Sequence, residues 1–155
     1  MSTRRVYLGL DPGQSGGVAL VAAAGVQAVV YKWPETERET ADLMRSLVTG
    51  NVDPVAVLEA VNSMPGQGVA STFAFGRHYG FLRGLLVAYE VPWLDVRPAK
   101  WQTAMGCLSK GDKNVTKARA QQLAPSLKLT HATADALLLA IYCSRLDWRG
   151  VGVAA

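Results

Sequence analysis

The chain has 155 residues; half of them are hydrophobic, 18% are charged, and the formal net charge at pH 7 is +4. This length and composition predict one globular domain, spanning residues 1–155, that can bury a hydrophobic core. The apolar runs are too short for a membrane span, and the start "MSTRR" is not followed by a signal-peptide core, so we expect a cytoplasmic protein without a membrane partner.

The first part of the chain predicts three consecutive strands. Arg5–Leu10 and Val18–Ala23 are apolar runs on either side of the turn "DPGQSGG", and Val26–Trp33 follows a short turn at Gly25. Strands joined by such short links pair antiparallel. We therefore expect an antiparallel meander at the start of the fold.

The rest of the chain alternates helices with two more strands. "VAVLEA" and "VPWLDV" are predicted strands four and five, and crossovers containing helices allow strands one, four and five to lie parallel. The sequence thus predicts an α/β fold: a five-stranded mixed sheet, three antiparallel strands followed by two parallel ones, flanked by helices. The predicted helices are Thr36–Val48, Val69–Tyr89, Pro98–Met105, Val115–Leu123 and His131–Arg145.

Three acidic residues are expected to meet at one edge of this sheet. Asp11 closes the first strand and Glu59 the fourth, and parallel strands end at the same edge. Asp135 lies in "HATADALLLAIY" on one stripe with Leu138 and Leu139, so it points toward the core. An acid in that position is costly unless it is paired or bound to a metal.

Three converging carboxylates are typical of a site for hard cations. Mg²⁺ takes oxygen ligands, with Mn²⁺ as its usual substitute, and two such ions about 4 Å apart can activate a water and stabilise the leaving oxygen of a phosphodiester. His131, one helical turn before Asp135, is a candidate fourth ligand or proton carrier. Taken singly, each acid also fits a turn or an ordinary strand end, and His131 fits a solvent-facing position.

Basic residues are concentrated in one region. Between Arg97 and Arg119 there is one acid, Asp112, whereas acids dominate between Glu35 and Glu59. This asymmetry favours a polyanion lying against one face, with a solvated helix surface as the alternative. The basic residues of the region are Arg97, Lys100, Lys110, Lys113, Lys117 and Arg119.

The cysteines and one histidine carry less information. Cys107 and Cys143 have neither CxxC nor Cys/His ligand spacing and cannot define a disulfide framework. We expect two reduced thiols and no disulfide-linked partner. His78 lies on a predicted helix without a neighbouring acid, and we interpret it as a surface or groove-lining residue.

Four segments, in order along nearly the whole chain, resemble one family. "LGLDPGQSG", "VAVLEAV", "VRPAKWQTAMGCLSKGDKNVTKA" and "HATADALLLAIY" are similar to segments of the RuvC-like Holliday junction resolvases, phage-type members included. These are endonucleases of the RNase H-like (retroviral integrase) superfamily that serve DNA recombination and repair. The resemblance implies an RNase H-like domain and a divalent-metal nuclease. It also implies a homodimer that nicks two strands of a four-way junction symmetrically.

The resemblance also implies roles for individual residues. Asp11, Glu59 and Asp135 match the family's metal-binding and catalytic acids. Many relatives carry an acid or a histidine three residues before the last aspartate, where this chain has Ala132, and His131 is a substitute at the neighbouring position. Catalytic lysines that contact the scissile region are matched by Lys100 and Lys113. We expect DNA to be bound by the basic residues Arg97, Lys100, Lys110, Lys113, Lys117 and Arg119, together with Arg77.

Two further features concern the junction centre and the dimer. In many relatives an aromatic residue soon after the glutamate wedges into the open centre of the junction. Here the third residue after Glu59 is polar, so another residue fills this role or none does. The helix by which such resolvases pair carries a glycine ridge at i+4 spacing, which fits a close helix contact across a two-fold axis or inside the monomer. The residues concerned are Asn62 and the candidate wedges Met64, Phe73 and Phe75, and the ridge residues Gly76, Gly80 and Gly84.

Three alternatives remain at this point. An RNase H-like nuclease for other branched DNA or RNA–DNA hybrids would use the same metal site. A catalytically inactive branched-DNA-binding protein would bind junctions equally well in EDTA. A sugar-kinase or actin-like ATPase also has an acid followed by a Gly/Ser turn, but that architecture needs two such domains and 155 residues supply one.

Overall fold

A computed structural model describes residues 3–22, 27–50, 52–61 and 65–152. The turn at Gly25, the predicted strand ends Ala23 and Val26, and Asn62 and Met64 lie outside the described residues. The strands are β1 (Arg4–Asp11), β2 (Gly17–Ala22), β3 (Ala28–Lys32), β4 (Val52–Glu59) and β5 (Trp93–Val96). The helices are α1 (Glu37–Val48), α2 (Val69–Ala88), α3 (Pro98–Ala104), α4 (Lys113–Leu123) and α5 (His131–Ser144).

The five strands form one mixed sheet in the order β3-β2-β1-β4-β5. β1 pairs antiparallel with β2, and β2 with β3, whereas β1–β4 and β4–β5 are parallel pairs. This confirms the predicted three antiparallel and two parallel strands. In the β1–β4 register Leu10 lies opposite Leu58, so the next residue of each strand, Asp11 and Glu59, lies at the same edge.

Alternation along the strands divides the core into two layers. Val6, Leu8 and Leu10 of β1 face one layer, with buried residues of α1 and α2. The intervening β1 positions face the other layer, where α5 packs on the sheet. A Cβ at Gly9 would overlap the α5 backbone at Ala136 and Ala140, so glycine allows α5 to lie directly on β1.

Two elements begin at least two residues earlier than the sequence predicts. β4 begins at Val52, three residues before the predicted start, and its Asp53 pairs with Arg5 of β1 at 2.6 Å. α4 begins at Lys113, two residues before the predicted Val115. The reason is Asp112, whose side chain accepts a hydrogen bond from the Asn114 backbone N–H and caps the helix. Lys113 therefore lies in the first turn of α4 and not in the preceding loop.

The described residues contain no helix that combines the length and the apolar character needed to cross a membrane. Cys107 and Cys143 are both buried free cysteines. The predicted N-cap of α1 is also confirmed, since the Thr36 side chain accepts a hydrogen bond from the Glu39 backbone N–H.

Candidate active site

The structure brings the three predicted acids together. Asp11 and Glu59 are the last residues of β1 and β4, and both belong to strand positions that face α5. Asp135 lies one turn inside α5, which the close approach at Gly9 brings onto β1. All three side chains are buried, with 7%, 7% and 4% of the surface of Asp11, Glu59 and Asp135 exposed.

Burial and the charges of neighbouring acids make ionisation of Asp11 and Glu59 unfavourable. Burial, followed by the charges of Glu59 and Asp135, holds the pKa of Asp11 well above its ordinary value. Burial also raises the pKa of Glu59 to about 7, with a contribution from the charge of Asp135. Such a cluster is stabilised in its ionised form only by cations brought close to it.

Lys113 is one such cation. Its Nζ donates a hydrogen bond to Asp135 Oδ2 at 2.9 Å, although 62% of the side chain is exposed. Partial burial opposes protonation, but the hydrogen bond to Asp135 and the charges of Asp135, Asp11 and Glu59 raise the pKa of Lys113. Its ammonium in turn offsets part of the rise in the pKa of both Asp11 and Glu59. The lysine predicted near the reacting phosphate thus contacts the acid cluster directly.

Trp101 is a site residue that the sequence analysis missed. This side chain of α3 is fully buried, and its Nε1–H donates a hydrogen bond to Glu59 Oε2 at 2.6 Å. That bond lowers the pKa of Glu59 and so partly offsets the effect of burial. The available signal was a tryptophan between two polar residues in a short predicted helix. The neighbouring Lys100, the predicted catalytic lysine, is exposed.

Glycines in the turn after Asp11 allow a tight chain reversal. Gly13 has φ +100°, a conformation that other residues rarely adopt. A Cβ at Gly16 would overlap the Asp11 carbonyl. The chain therefore folds back on Asp11 itself, and these glycines are explained by contacts within the chain.

A cleft of about 350 Å³ opens beside Glu59 and Asp135. Its walls include α3 and the loop before α4, in which Lys110 adopts φ +50° and Gly111 φ +94°. Gln102 of α3 fixes this loop, because its Oε1 accepts hydrogen bonds from the Ser109 N–H and hydroxyl, both at 3.2 Å. The cleft thus joins the acid cluster to a loop that carries positive charge.

The other predicted site residues differ in how freely they can reach a ligand. His131 is exposed at the start of α5, and within the described ranges no hydrogen bond or ion pair joins it to an acid. Arg77, Arg97, Lys100 and Lys110 are exposed, and Lys117 is half-buried. Arg119 is half-buried as well, and its Nε–H donates to the Met105 carbonyl at 2.8 Å, so it also holds α4 to the end of α3.

The helix α2 exposes both a candidate wedge and the glycine ridge. Phe73 is 71% exposed, whereas Phe75 stacks on Tyr79 with ring centroids 6.4 Å apart. A Cβ built at any glycine of the ridge would meet nothing within 4 Å. Packing inside the monomer, one of the two alternatives for the ridge, is therefore wrong for the described chain. The ridge consists of Gly76, Gly80 and Gly84.

The three carboxylates are ligands of the type that hard cations prefer, but they are not arranged around one metal position. No group of three or more His, Cys, Asp or Glu side chains in the described ranges is spaced closely enough to hold a metal. However, Asp135 Oδ1 is a buried oxygen with no hydrogen-bond partner among the described residues. Carboxylate oxygens are the ligands that Mg²⁺ prefers. The chemistry of these oxygens, though not their present spacing, is thus compatible with Mg²⁺.

Comparisons with known proteins identify the fold. No protein-family profile matches the sequence, and no curated protein matches it. Among solved structures, Thermus thermophilus RuvC in complex with a Holliday junction substrate matches with a TM-score of 0.60 and 17% identity, over 89% of this chain and 91% of that chain. A second Thermus thermophilus RuvC structure matches with a TM-score of 0.58 and 16% identity, over 88% of this chain and 92% of that chain. The chain has the RNase H-like fold of RuvC.

Proposed function

We propose that this chain with a RuvC fold is a metal-dependent endonuclease that resolves four-way DNA junctions by paired, symmetric nicking. The observation that carries the proposal is the convergence of Asp11, Glu59 and Asp135 at one sheet edge, beside a cleft that includes Lys110 and Lys113. The substrate class is supported by the matched RuvC structure, which is described as a complex with a Holliday junction substrate. We further propose that residues 1–155 form one nuclease domain acting in bacterial or phage-infected cytoplasm.

The acid cluster would hold the metal. Asp11, Glu59 and Asp135 supply the carboxylate oxygens, and we propose His131 as an additional ligand or proton carrier. Mg²⁺, or Mn²⁺ in its place, would supply an activated water and charge stabilisation at the phosphate, with two ions in each site. The partnerless Oδ1 of Asp135 supports a role for that carboxylate as a ligand.

Side chains around the acids hold and neutralise them. Trp101 fixes one oxygen of Glu59, which leaves the other oxygen free to bind. Lys113 neutralises Asp135 before substrate binds, and its 62% exposed side chain can turn toward a phosphate in the cleft. An ammonium beside a reacting phosphate stabilises the charge that develops there. We propose the same role for Lys100, which lies one residue before Trp101 on α3.

The proposed dimer uses the free face of α2. A Cβ added at Gly76, Gly80 or Gly84 would meet nothing within 4 Å in the described chain, so the ridge leaves room for the same helix of a second copy to approach closely. A two-fold dimer places one acid cluster on each of two strands of a two-fold junction. We propose that the DNA contacts the exposed basic residues Arg77, Arg97, Lys100 and Lys110 and, beside them, Lys113, Lys117 and Arg119.

One observation favours a second candidate, an inactive protein that binds branched DNA. Within the described residues the acids are not arranged to hold a metal, and Lys113 already neutralises Asp135. A cation that lacks a high-affinity site would not be retained, whereas the basic surface would still bind DNA. This candidate predicts equal junction binding in Mg²⁺ and in EDTA, without cleavage.

The deciding experiment uses a synthetic mobile four-way junction labelled on each arm. Wild type and Asp11→Asn are incubated with it in Mg²⁺, Mn²⁺ or EDTA, beside linear duplex and an RNA–DNA hybrid. Asp42→Asn is the matched control, since Asp42 pairs with Arg45 on the exposed face of α1. We expect paired, metal-dependent nicks that Asp11→Asn abolishes and the control retains. Binding without nicks supports the second candidate, and preferential cleavage of the hybrid identifies a different RNase H-like nuclease.

A further inference from the structure

Two aromatic side chains from other elements hold the chain reversal that follows Asp11. The Nε1–H of Trp33, beyond the end of β3, donates a hydrogen bond to the Asp11 carbonyl at 2.6 Å. The Gly13 backbone N–H donates to His78 Nδ1, on α2, at 2.8 Å. The two rings meet edge to face, with centroids 5.4 Å apart and planes at 73°. Together they contact the backbone at Asp11 and two residues after it.

The hydrogen bond at Gly13 defines the state of His78. Because Nδ1 accepts a hydrogen bond from a backbone amide, it carries no proton itself, so the imidazole is neutral with its proton on Nε2. Burial lowers the pKa of His78, opposed by the charge of Glu37, which is consistent with a neutral ring. His78 therefore has a defined partner, which goes beyond the groove-lining role predicted for it.

Other contacts close the same turn. Gly16 N–H donates to the Gly13 carbonyl at 3.1 Å, and Trp33 N–H donates to the Gly16 carbonyl at 3.3 Å. At Gly13, an added Cβ would lie 3.4 Å from the Phe75 ring, so the turn also packs on α2. The backbone of this turn is thus bound from two sides, by the segment after β3 and by α2.

We propose that His78 and Trp33 are positioning residues that fix the Asp11 carboxylate for metal binding, an inference that rests on the proposed role of Asp11 as a ligand. Neither side chain is one of the proposed metal ligands. They act through the backbone, by setting where β1 ends and how the chain leaves Asp11. Outer contacts of this kind typically change metal affinity or activity 10- to 100-fold when they are removed.

The test compares variants of His78 that differ in where they carry an acceptor. His78→Asn places an amide oxygen near the position of Nδ1, whereas His78→Leu removes the acceptor and keeps apolar bulk. Trp33→Phe keeps a ring and removes the donor. Tyr89→Phe is the control, because it removes a hydrogen bond at the C-cap of α2, far from Gly13, in which the Tyr89 hydroxyl donates to the Ala41 carbonyl at 3.2 Å.

The measurements are Mn²⁺ affinity by calorimetry, junction nicking rate and unfolding midpoint for each variant. We expect His78→Leu and Trp33→Phe to lose about ten-fold or more in Mn²⁺ affinity and nicking rate. His78→Asn should stay within about three-fold of wild type, because it restores the acceptor. The proposal is overturned if His78→Leu binds Mn²⁺ as tightly as wild type does. It is also overturned if Tyr89→Phe loses as much Mn²⁺ affinity and as much stability as His78→Leu.

A spectroscopic measurement separates this proposal from the proposed function. Imidazole ¹⁵N shifts of wild type, assigned with His78→Asn, should show an unprotonated Nδ1 and a protonated Nε2. Hydrogen exchange at the Gly13 amide should be faster in His78→Leu and unchanged in Tyr89→Phe. Protonated Nδ1, or unchanged exchange in His78→Leu, overturns the positioning role whether or not the protein cuts DNA. If the ¹⁵N shifts and the exchange rates are as expected but the protein cuts no DNA, the nuclease proposal is rejected. The hydrogen bond between His78 and Gly13 is then still supported.

Discussion

Trp101 donates its indole N–H to Glu59 Oε2 at 2.6 Å, which joins a fully buried side chain of α3 to the acid that ends β4. A hydrogen bond to a carboxylate is charge-assisted and directional, so it sets the orientation of the carboxyl group as well as its charge. One oxygen of Glu59 is thereby committed to the protein, and the other remains for a ligand. The helix that carries Lys100 thus also orients an acid of the candidate site.

Trp101→Phe should weaken both the metal site and the fold. Loss of the indole donor leaves a buried carboxylate oxygen without its partner, and we expect the free energy of unfolding to fall by about 1 to 3 kcal/mol. We also expect about ten-fold weaker Mn²⁺ binding by calorimetry. Trp148→Phe is the control, since it removes an indole bond to the Cys143 carbonyl at 2.9 Å. An equal loss of Mn²⁺ affinity in both variants would show that Trp101 has no particular role at Glu59.

Lys113→Met should destabilise the metal-free protein at alkaline pH. The substitution removes the cation bound to Asp135 and leaves a buried acid cluster uncompensated. We expect a loss of about 1 to 3 kcal/mol at pH 8 in EDTA, less than for a buried pair because the lysine is partly exposed. Mg²⁺ should restore much of this stability. Lys117→Met, in the same helix, should change little, and equal denaturation midpoints for the two variants would contradict the assignment of Lys113.

The metal-free protein should become less stable as pH rises from about 4.5 to 7. The folded protein holds the Glu59 proton up to about pH 7, whereas the unfolded chain releases it near the ordinary value of 4.5. Since the unfolded state binds fewer protons in this range, the contribution of Glu59 to stability is complete below 4.5 and is lost as pH rises through 7. One pKa unit corresponds to about 1.4 kcal/mol, so the effect is of the order of a few kcal/mol.

Denaturant titrations in EDTA at several pH values measure this slope. Glu59→Gln should flatten the pH dependence, because the amide does not ionise, and Mg²⁺ should reverse the slope by stabilising the ionised acids. A wild-type protein whose unfolding free energy rises steadily between pH 4.5 and 7 in EDTA would be inconsistent with buried, unfavourably ionised acids.

Substitutions on the glycine ridge should separate dimerisation from folding. Gly80→Ala should stabilise the monomer by about 0.5 to 1 kcal/mol, since alanine favours helix and its Cβ would meet nothing in the chain. Gly80→Leu should fold as a monomer, because its side chain blocks the approach of a second helix. Denaturant titration measures the stability of Gly80→Ala, and sedimentation velocity measures the oligomeric state of Gly80→Leu. Ser71→Leu is the control for both, since it changes an exposed residue elsewhere on α2. A Gly80→Leu protein that remains dimeric places the interface on another surface.

Sheet topology and the meeting of the acids could be predicted because both follow from local patterns. Apolar runs give the strands, crossovers make β1, β4 and β5 parallel, and parallel strands bring their last residues, Asp11 and Glu59, to one edge. Asp135 follows from helical spacing. These features depend on residues close together in the chain, or on rules that hold for any sheet of this kind.

The side chains that support the acids could not be predicted in the same way. Trp101 lies 42 residues from Glu59, Trp33 lies 22 from Asp11, and His78 lies 65 from Gly13. Which of these side chains reaches which atom depends on how α2, α3 and the segment after β3 pack at this edge of the sheet, and no sequence spacing encodes that packing.

Cleavage of a supercoiled plasmid that extrudes a cruciform is the most direct test that the protein resolves four-way junctions by paired nicking. Paired nicks made within one complex convert such a plasmid to a linear product, whereas independent nicks give open circles. We expect wild type to produce linear plasmid in Mg²⁺, none in EDTA, and none for Asp11→Asn or Asp135→Asn. A protein that binds the cruciform but leaves the plasmid supercoiled in both Mg²⁺ and Mn²⁺, or that gives only open circles, would contradict a resolvase built on these three carboxylates.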